Sequence, residues 1–595
     1  MTLPDKTRPT ELADLLSAAA GDAFAALGLD RALGAMRRSD RPDLADFQCN
    51  GAMAAAKAAK KNPREIAQAV VDALKAQAMV ASAEVAGPGF INVKVSPEAL
   101  SARAEEIAAD PRAGAVSVDK PRRVVIDFGG WNVAKEMHIG HLRSTVIGDS
   151  LQRLFRFMGD HVTSDVHLGD WGLQMGQLIN EVKQEQPGLP YFDEAFTGPY
   201  PETSPVTMDD LGRLYPQASA KSKTDEERRN ADRQATQELQ AGRPGYRALW
   251  RHFCNVTRVG LERECASLGV RFDLWKGESD AEPFIPALVE DLKARGIAEL
   301  DAGAWIVRVA RETDKKEMPP IILVNRDGAI GYHGSDLGTI IDRKQSIDPE
   351  LSLYVVDQRQ ALHFEQVFRA SDRAGLMPER SLEHLGFGTV NGPDGKPYKT
   401  RDGGVLKLYE LISQADATSL ARMQEAELGA DVPEDERRDI AHKVAVAAIK
   451  FSDLSNVRTT NYIFDLDRFI SFEGKTGPYL LYAAVRIKSL ARRAQAEGVK
   501  PGPIQIELDA ERALVLQLDA LNDALRGAYD KRLPHILCDH VYSLAQAFSG
   551  FYAAAPILAE SDPAKRASRF ALAMATLKQL ELGLGLIGIE TPERM

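Results

Sequence analysis

Residues 122–145 read RRVVIDFGGWNVAKEMHIGHLRST, and three patterns meet in this stretch. The apolar run VVIDF, ended by Gly129-Gly130, is typical of a strand that is buried on both faces of a parallel sheet. From Ile139 onward the apolar residues return at helical spacing, and the next segment, HVTSDVHLGDWG, again reads as a strand and a turn before another helix. Alternating strands and helices predict an α/β domain with a doubly wound, Rossmann-like parallel sheet.

The chain has 595 residues, which is too many for one hydrophobic core, and we predict three domains. Residues 1–112 read as a small α/β domain, with a helix restarting at Asn62-Pro63 and a Gly-Pro-Gly turn between two strands. Residues 113–434 hold the parallel sheet, with an insertion at about 186–245 that projects from it and includes a charged helical stretch. Residues 435–595 predict an all-helical C-terminal domain.

The composition is that of an ordinary globular protein, with 44% hydrophobic and 27% charged residues. A net charge of −11 argues against a non-specific DNA binder, but an RNA enzyme needs only a local basic face. No apolar run is long enough to cross a membrane, and the first residues lack a secretory pattern. Four scattered cysteines without a CxxC pair predict a cytoplasmic protein without a structural metal site.

The pattern His-x-Gly-His at His138–His141 is rarely met by chance, because about 0.016 matches are expected in a chain of this composition. It stands at a predicted helix start, where free N–H groups and the helix dipole favour anions. Gly140 lets a base or ribose approach the backbone, and both histidines can donate to one phosphate chain. A metal site is the alternative, but it needs a third ligand, and Glu136 does not complete an HExxH pattern.

A second glycine motif is much weaker. The stretch GLGLIG at 583–588 matches the dinucleotide fingerprint, but about 0.27 such matches are expected with 46 glycines. That fold needs a strand–helix pair at the motif and an acidic residue about 20 residues later, and neither can follow before the sequence ends at Met595. We interpret this stretch as the end of a helix and a turn.

The HIGH stretch, followed by KPYKTRDGG at 396–404, resembles the two signatures of class I aminoacyl-tRNA synthetases, the second of which usually reads KMSKS. Within that class the chain resembles the arginyl-tRNA synthetase family over nearly its whole length. The N-terminal KKNPREIA and GPGFINV resemble that family's extra tRNA-contacting domain, and the helical C-terminal domain resembles its anticodon-binding bundle. The other matching stretches are HLGDWGLQMGQLI (167–179), GES (277–279), DQRQALHF (357–364), FISFEGKTGPYLLYA (469–483) and GLGLIGIETPERM (583–595).

The resemblance implies a monomeric enzyme that joins L-arginine to tRNA(Arg), with ATP and its Mg²⁺ as co-substrate, and with neither DNA nor membrane as partner. Charge spreads over the phosphates in the transition state, so catalysis needs fixed donors. The implied catalytic residues are His138, His141, Lys396 and Lys399, with Lys135 supporting the divergent second signature. His138, Gly140, His141 and Lys399 are the implied ATP contacts.

Two other functions are open from the motif alone. A different nucleotidylyl transferase could use HxGH, but it would have no need of a helical RNA-binding domain. A non-catalytic RNA-binding relative is the second alternative, but it would have no chemical reason to keep both histidines and both lysines.

Selection of arginine needs an anionic or polar fork for a planar guanidinium. The positions matching the family's arginine contacts are Asn132, which meets the substrate's backbone groups, and Glu278, Tyr332, Asp336 and Gln360. Two stretches depart from the family. Residues 332–338 read YHGSDLG where YATRDLA is common, and DFGGWN stands where a Ser-Pro-like turn is common.

RNA bases that are single-stranded are usually read by stacking and by hydrogen bonds to their edges. Phe90 and Asn92 match family positions that hold a base of the tRNA D-loop. The first helix of the C-terminal domain is expected to carry an aromatic and basic RNA-binding face, made of Tyr479, Tyr482, Arg486, Lys488, Arg492 and Arg493. Core tyrosines with solvated arginines are the alternative interpretation.

Overall fold

The computed structural model of the chain describes residues 11–326, 330–392, 394–396, 398, 406–430 and 432–595. Its N-terminal part is an antiparallel four-stranded sheet, in the order β1-β2-β4-β3, packed with four helices. The predicted helix restart is confirmed, because Asn62 Oδ1 accepts the Arg64 N–H at 2.9 Å and caps α3. The elements are α1 (Leu12–Ala26), β1 (Met36–Arg38), β2 (Phe47–Cys49), α2 (Gly51–Ala59), α3 (Pro63–Lys75), β3 (Val80–Ala86), β4 (Phe90–Val95) and α4 (Pro97–Ala109).

The central part alternates strands and helices, as the sequence predicts. Its first half contains β5 (Arg123–Phe128), α5 (Ile139–Met158), β6 (His161–Leu168), α6 (Leu173–Glu185), α7 (Met208–Thr224), α8 (Glu226–Gln240), α9 (Pro244–Ser267), β7 (Leu274–Gly277), α10 (Glu278–Ala281) and α11 (Ile285–Ala294). Its second half contains β8 (Glu299–Asp301), β9 (Ala304–Val307), β10 (Ile321–Val324), α12 (Tyr332–Ser346), β11 (Leu351–Val355), α13 (Ala361–Ala374), β12 (Leu382–His384), β13 (Val390–Asn391) and α14 (Leu408–Glu425).

Five of these strands form one parallel sheet in the order β12-β11-β5-β6-β7. The chain runs outward from β5 through β6 to β7, then returns to β11 on the other side of β5. This reversal is the topological switch point of a doubly wound sheet, and ligands bind there beyond the carboxyl ends of the strands. The predicted fold class is confirmed.

The apolar run at Ile321–Val324 is a strand, but it does not join the parallel sheet. It pairs antiparallel with β9 in a separate three-stranded sheet with β8. The predicted charged helical stretch forms two helices, α7 and α8, because Asp225 caps α8 through the Arg228 N–H. Both helices pack against α6, and their buried side chains share a cluster with Trp171 and Met175.

The C-terminal part is helical, with one short strand. Its elements are α15 (Glu434–Leu454), β14 (Tyr462–Ile463), α16 (Leu466–Phe469), α17 (Gly477–Ala496), α18 (Asp509–Asp519), α19 (Leu521–Lys531), α20 (His535–Ala554) and α21 (Pro563–Leu586). One expectation is wrong, because the first helix here is α15, whereas Tyr479 and Arg486 lie on α17. The 583–588 stretch ends α21, with Gly588 at a φ of +72°, so its interpretation as a helix end is confirmed.

Buried ion pairs join the helical part to the other two parts. Asp519 on α18 accepts hydrogen bonds from Arg38 and from Arg103 of the N-terminal part. Lys450 on α15 is fully buried and donates to Asp149 on α5 at 3.0 Å and to the Gly588 carbonyl at 2.9 Å. The back of α5 is therefore completed by residues from the helical part. No helix among the described residues is long and apolar enough to cross a membrane.

A buried arginine fixes α12 to the sheet. Arg343 is 1% exposed, and its guanidinium donates to Asp127 on β5 at 2.6 Å and to Asp165 on β6 at 2.8 Å. Burial opposes its charge, but the two carboxylates outweigh this effect and raise the pKa of Arg343 well above its ordinary value. Because α12 also carries Asp336, this network positions one of the predicted arginine contacts.

Replacing Arg343 by methionine is expected to destabilise the protein by about 3–5 kcal/mol, because two buried carboxylates would lose their counter-charge. The readout is the urea midpoint of unfolding followed by circular dichroism. Lys344→Met is the matched control, since Lys344 is exposed and its one ion pair among the described residues is with exposed Asp348; its effect should stay within about 0.5 kcal/mol. Equal shifts for the two variants would contradict the prediction.

Candidate active site

Four loops that follow strands of the parallel sheet meet at its carboxyl edge. The loop after β5 carries Asn132 and the HIGH histidines, and the loop after β6 carries Asp170. Glu278 follows β7 directly, and Gln360 lies beyond β11. Ser144 closes the switch point, because its Oγ accepts the Gly129 N–H at 2.9 Å and donates to the Val355 carbonyl at 2.7 Å. Most of the predicted substrate contacts therefore share one edge of the sheet.

The HIGH turn is built by the two histidines themselves. His138 is the N-cap of α5, and its Nδ1 accepts the Gly140 N–H at 3.0 Å. His141 Nδ1 accepts the His138 backbone N–H at 3.2 Å, and the two rings stack with their centroids 3.7 Å apart. Gly140 itself is exposed. The predicted helix start at His138 is confirmed.

These hydrogen bonds determine which ring nitrogen carries the proton. Burial and the nearby charges of His138 and Lys135 lower the pKa of His141 to about 3. Burial also lowers the pKa of His138, with a further contribution from Lys135. Both rings are therefore neutral near pH 7, and because Nδ1 is the acceptor in each, Nε2–H is the donor. The turn thus presents two N–H donors without a formal charge.

The segment after the second signature, residues 406–408, forms backbone hydrogen bonds with Met137 and Ile139 at the HIGH turn. The Ile139 N–H donates to the Leu406 carbonyl at 3.0 Å, and the Leu408 N–H donates to the Met137 carbonyl at 2.9 Å. Lys407 and Glu136 form an ion pair of 2.6 Å across this pairing. The segment that follows the second signature is thus held against the HIGH turn, although the two are far apart in sequence.

Of the two lysines of the second signature, the structure describes Lys396. Lys396 is exposed on a tight turn, in which its carbonyl accepts the Gly392 N–H at 2.8 Å. Its ammonium group forms no hydrogen bond or ion pair with the part of the chain that the structure describes. Lys399 lies outside the described residues.

Lys135 points toward the insertion. Its Nζ lies 5.1 Å from the ring centroid of Tyr215 on α7, a cation–π distance, and burial lowers its pKa. The preceding residue, Ala134, has a φ of +67°, which turns the chain sharply between Asn132 and the histidines. The insertion therefore contacts the lysine that precedes HIGH.

Asn132 is fixed by close backbone packing. The Gly169 N–H donates to the Trp131 carbonyl at 2.9 Å, and the Val133 N–H donates to the Gly169 carbonyl at 3.0 Å. A Cβ at Gly169 would lie 2.1 Å from Asn132 Oδ1, so only glycine leaves room for this side chain. The contact explains why a glycine follows β6.

Glu278 lies beside a second buried carboxylate. Asp170 accepts hydrogen bonds from the Ser279 N–H at 2.9 Å and Oγ at 2.6 Å, and so fixes the turn at which Glu278 begins α10. Burial raises the pKa of Glu278 to about 7. Asp170 and Asp336 add to this shift, while His167 opposes it. Glu278 is therefore only partly ionised near neutral pH.

A cationic substrate should bind the ionised form of Glu278, which exists above its pKa. For arginine, the substrate that the sequence predicts, protonation of Glu278 alone is therefore expected to raise the Michaelis constant with a slope that approaches tenfold per pH unit as pH falls below about 7. The measurement is the pH dependence of kcat/KM for arginine between pH 5.5 and 8.5. Glu278→Gln should raise KM at pH 8 and remove one proton from this dependence; an unaltered profile in that variant would exclude Glu278.

Asp336 is paired with a histidine. His363 Nε2, on α13, hydrogen-bonds to Asp336 Oδ2 at 2.8 Å. Gln360 is exposed and is the N-cap residue of α13. Tyr332 begins α12, but its side chain lies outside the described part of the structure.

The predicted tRNA contacts of the N-terminal part lie on β4. Phe90 is half-buried beside Gly87 in the Gly-Pro-Gly turn. Asn92 is 4% exposed, and its Oδ1 accepts a hydrogen bond from Gln48 on β2 at 2.8 Å. Phe90 is thus partly accessible, whereas the Asn92 side chain is hydrogen-bonded within the sheet.

The predicted basic face on α17 is smaller than expected. Arg486 lies over the rings of Tyr482 and Tyr552, at 5.0 and 5.2 Å, and lines a cavity of about 230 Å³. Tyr479 instead packs against Tyr542 on α20. The pKa of Lys488 is raised because its pairs with Glu581 and Glu593 outweigh burial. Arg492, Arg493 and Met595 also line the cavity.

Comparison with known families accounts for almost the whole chain. The model of the class I tRNA synthetase catalytic domain of the arginine (R) type matches residues 105–466. The arginyl-tRNA synthetase N-terminal domain matches residues 10–95, and the DALR anticodon-binding domain matches residues 480–595. An arginine–tRNA ligase of Hyphomonas neptunium is 63% identical over 588 residues, covering 98% of this chain and all of the relative.

The chain belongs to the class I arginyl-tRNA synthetase family.

Other members of the arginyl-tRNA synthetase family support the same assignment. The arginine–tRNA ligase of Maricaulis maris is 61% identical over 585 residues, covering 98% of this chain and all of that protein. The fold is that of the Thermus thermophilus arginyl-tRNA synthetase, with a TM-score of 0.78 at 23% identity, covering 98% of this chain and all of the other. A Plasmodium falciparum arginyl-tRNA synthetase gives 0.77 at 23% identity, covering 94% of each chain.

Sequence reasoning missed several residues that shape the site in this family member. Asp170 stands in the HLGDWG stretch and His363 in DQRQALHF, so both lie inside stretches that carry the family resemblance. The signal available in the sequence for Asp170 was an aspartate just after a predicted strand. His363 gives no such signal, since its partner Asp336 comes from another helix. Tyr215 and Lys407 also lie outside the predicted set.

Proposed function

We propose that the chain is an arginine–tRNA ligase, which activates L-arginine with ATP and transfers it to the 3′ end of tRNA(Arg). The observation that carries the proposal is the carboxyl edge of the sheet, which the two uncharged N–H donors of the HIGH turn share with Glu278, the acid that interacts electrostatically with Asp336. Phosphate donors and a cation-binding pocket on one edge suit a reaction between a nucleotide and a cationic amino acid.

In the first step a carboxylate oxygen of arginine attacks the α-phosphorus of ATP, forming arginyl-adenylate as pyrophosphate leaves. In the second step a ribose hydroxyl at the tRNA 3′ end attacks the arginyl carbonyl, and AMP leaves. We assign His138 and His141 to the phosphates through their Nε2–H groups, with Gly140 beneath the nucleotide. We assign Lys396 and Lys399 to the leaving pyrophosphate, and Lys135 to their support.

The acidic residues are assigned to the amino acid. Glu278 and Asp336 are proposed to bind the guanidinium, because the burial of Glu278 and the Asp336 oxygen that accepts no hydrogen bond from the described residues favour a cation with several donors. Asn132, held by Gly169, is proposed to meet the α-amino or carboxylate group. Tyr332 and Gln360 complete the proposed arginine contacts.

The remaining assignments concern RNA, cofactor and state. We propose that Phe90 and Asn92 contact the D-loop and that Arg486, with Tyr479 more weakly, contacts the anticodon stem-loop. Mg²⁺ enters as the ATP complex, held chiefly by phosphate oxygens and water, as this ion prefers. A cytoplasmic monomer with domains 1–112, 113–434 and 435–595, and an insertion at about 186–245, completes the proposal.

Arginine-dependent exchange between ATP and pyrophosphate tests the proposal most directly. The full chain is assayed with each of the twenty amino acids, with and without tRNA(Arg). Exchange is expected only with arginine, and the complete reaction should give arginyl-tRNA and AMP. No exchange with any amino acid, with tRNA present, would reject the ligase; exchange with another amino acid would reject only the specificity.

A further inference from the structure

Asp336 has a partner that the arginine-binding proposal does not use. His363 Nε2 lies 2.8 Å from Asp336 Oδ2, and both side chains are about three-quarters buried, with 27% and 24% of their surface exposed. Among the described residues, the other oxygen of Asp336, Oδ1, accepts no hydrogen bond. His363 therefore leaves one carboxylate oxygen available and fixes where it points.

A second histidine packs against this pair. The His333 ring lies 4.8 Å from the His363 ring at 31°, and it comes from the same helix as Asp336. His333 stands in the YHGSDLG stretch, where the chain departs from the family's common YATRDLA. Burial, together with the nearby charge of His363, lowers the pKa of His333, so that ring is neutral. The departure thus places an uncharged aromatic ring behind the His363–Asp336 pair.

The pKa of His363 shifts in the opposite direction to that of His333. Burial lowers its pKa, but the hydrogen bond and charge of Asp336 outweigh burial and raise the pKa above its ordinary value. Among the described residues, His333 from α12 interacts electrostatically with His363. Glu278 from α10 and Tyr354 from β11 interact electrostatically with Asp336. A protonated His363 neutralises the carboxylate, whereas a neutral His363 still donates Nε2–H and leaves the full negative charge.

We propose that His363 is a positioning residue that orients Asp336 and sets its charge, and thereby controls how tightly the site holds the guanidinium of arginine. This inference rests on the proposed arginine site. The proton on His363 and the guanidinium are two cations competing for one carboxylate, so arginine binding should release the proton. The same competition applies separately at Glu278.

The test is the slope of log KM for arginine against pH, measured between pH 5.5 and 8.5 by pyrophosphate exchange. With both Glu278 and His363 titrating, the slope for the unaltered chain is expected to approach −2 at low pH. His363→Gln keeps an N–H donor near the Nε2 position but cannot be protonated. It should keep KM at pH 8 within threefold and reduce the slope to −1.

His363→Ala removes the donor as well as the proton. At pH 8 it should raise KM for arginine about tenfold, while kcat and KM for ATP change less than threefold. His161→Gln is the matched control, because His161 is an exposed histidine at the far end of β6, and its slope should remain near −2. A merely structural role for His363 would lower kcat and stability without changing the slope in His363→Gln.

Two results would overturn the inference: a slope near −2 in His363→Gln, or an unchanged KM in His363→Ala. If His363→Ala does not fold, the glutamine variant alone decides, since it preserves the hydrogen bond. Absence of arginine-dependent exchange in the unaltered chain would overturn the ligase proposal and this inference together. Arginine-dependent exchange in the unaltered chain, together with a slope near −2 in His363→Gln, would overturn this inference and leave the ligase proposal standing.

Discussion

Replacing His138 by asparagine is expected to lower kcat for arginine-dependent exchange by about 10²–10³-fold, the usual effect of removing one fixed donor to developing charge. Asparagine keeps an acceptor near the Nδ1 position, which in the native turn accepts the Gly140 N–H at 3.0 Å. It is also a favoured N-cap residue, so α5 should still begin at the same place. What it loses is the Nε2–H that we assign to ATP.

The control for this variant is His138→Gln, whose amide reaches the Nε2 position and should recover part of the rate. Thermal unfolding of both variants should match that of the unaltered chain within about 1 kcal/mol, the typical value of a helix cap. A His138→Asn enzyme with at least one third of the native kcat would contradict the role of this nitrogen in catalysis. Because the pKa of His138 is lowered, lowering the pH to 6 should not mimic the substitution.

Replacing Asp336 by alanine is expected to raise KM for arginine by about 10–100-fold, because a charge-assisted hydrogen bond contributes about 1.5–3 kcal/mol. The variant also leaves His363 without the carboxylate that it contacts at 2.8 Å. KM for ATP should change little, since the proposed phosphate donors His138 and His141 lie after β5, whereas Asp336 lies on α12. Steady-state exchange kinetics at pH 8 measure both constants.

A matched control for Asp336→Ala is Asp301→Ala. Asp301 is an exposed aspartate of β8 that pairs with Arg308, so its loss should leave KM for arginine unchanged. An unchanged KM in Asp336→Ala would remove Asp336 from the arginine pocket. A fall in kcat with unchanged KM would instead place Asp336 near the reacting atoms.

Features that depend on neighbours in sequence could be predicted well. The strand ending at Phe128, the turn and the helix start at His138 follow from an apolar run, glycines and a capping pattern within about twenty residues. The alternation of strands and helices predicts a doubly wound parallel sheet, but it does not predict the order of the strands. The composition of Ile321–Val324 also suits a strand but does not say which sheet it joins, and this strand pairs with β9 outside the parallel sheet.

Features that join distant segments could not be predicted. Asp170 meets Ser279 across 109 residues, and Lys407 meets Glu136 across the pairing of the two signatures. On α17, helical spacing alone did not separate Arg486, which lines a cavity, from Tyr479, which packs on α20. Each of these contacts depends on tertiary packing, for which a single sequence carries no periodic signal.

The buried contact of Lys450 with Asp149 limits how parts of this protein can be recombined. A chimera that took its helical part from a relative would bring a foreign residue against Asp149, which is 1% exposed on the helix that begins with the HIGH histidines. Without an ammonium group at that position, the carboxylate would lose its buried counter-charge and keep only the partly exposed Arg153, whose Nε donates to it at 2.9 Å. The residue aligned with Lys450 is therefore one criterion by which a donor can be chosen in advance, before any RNA contact is considered.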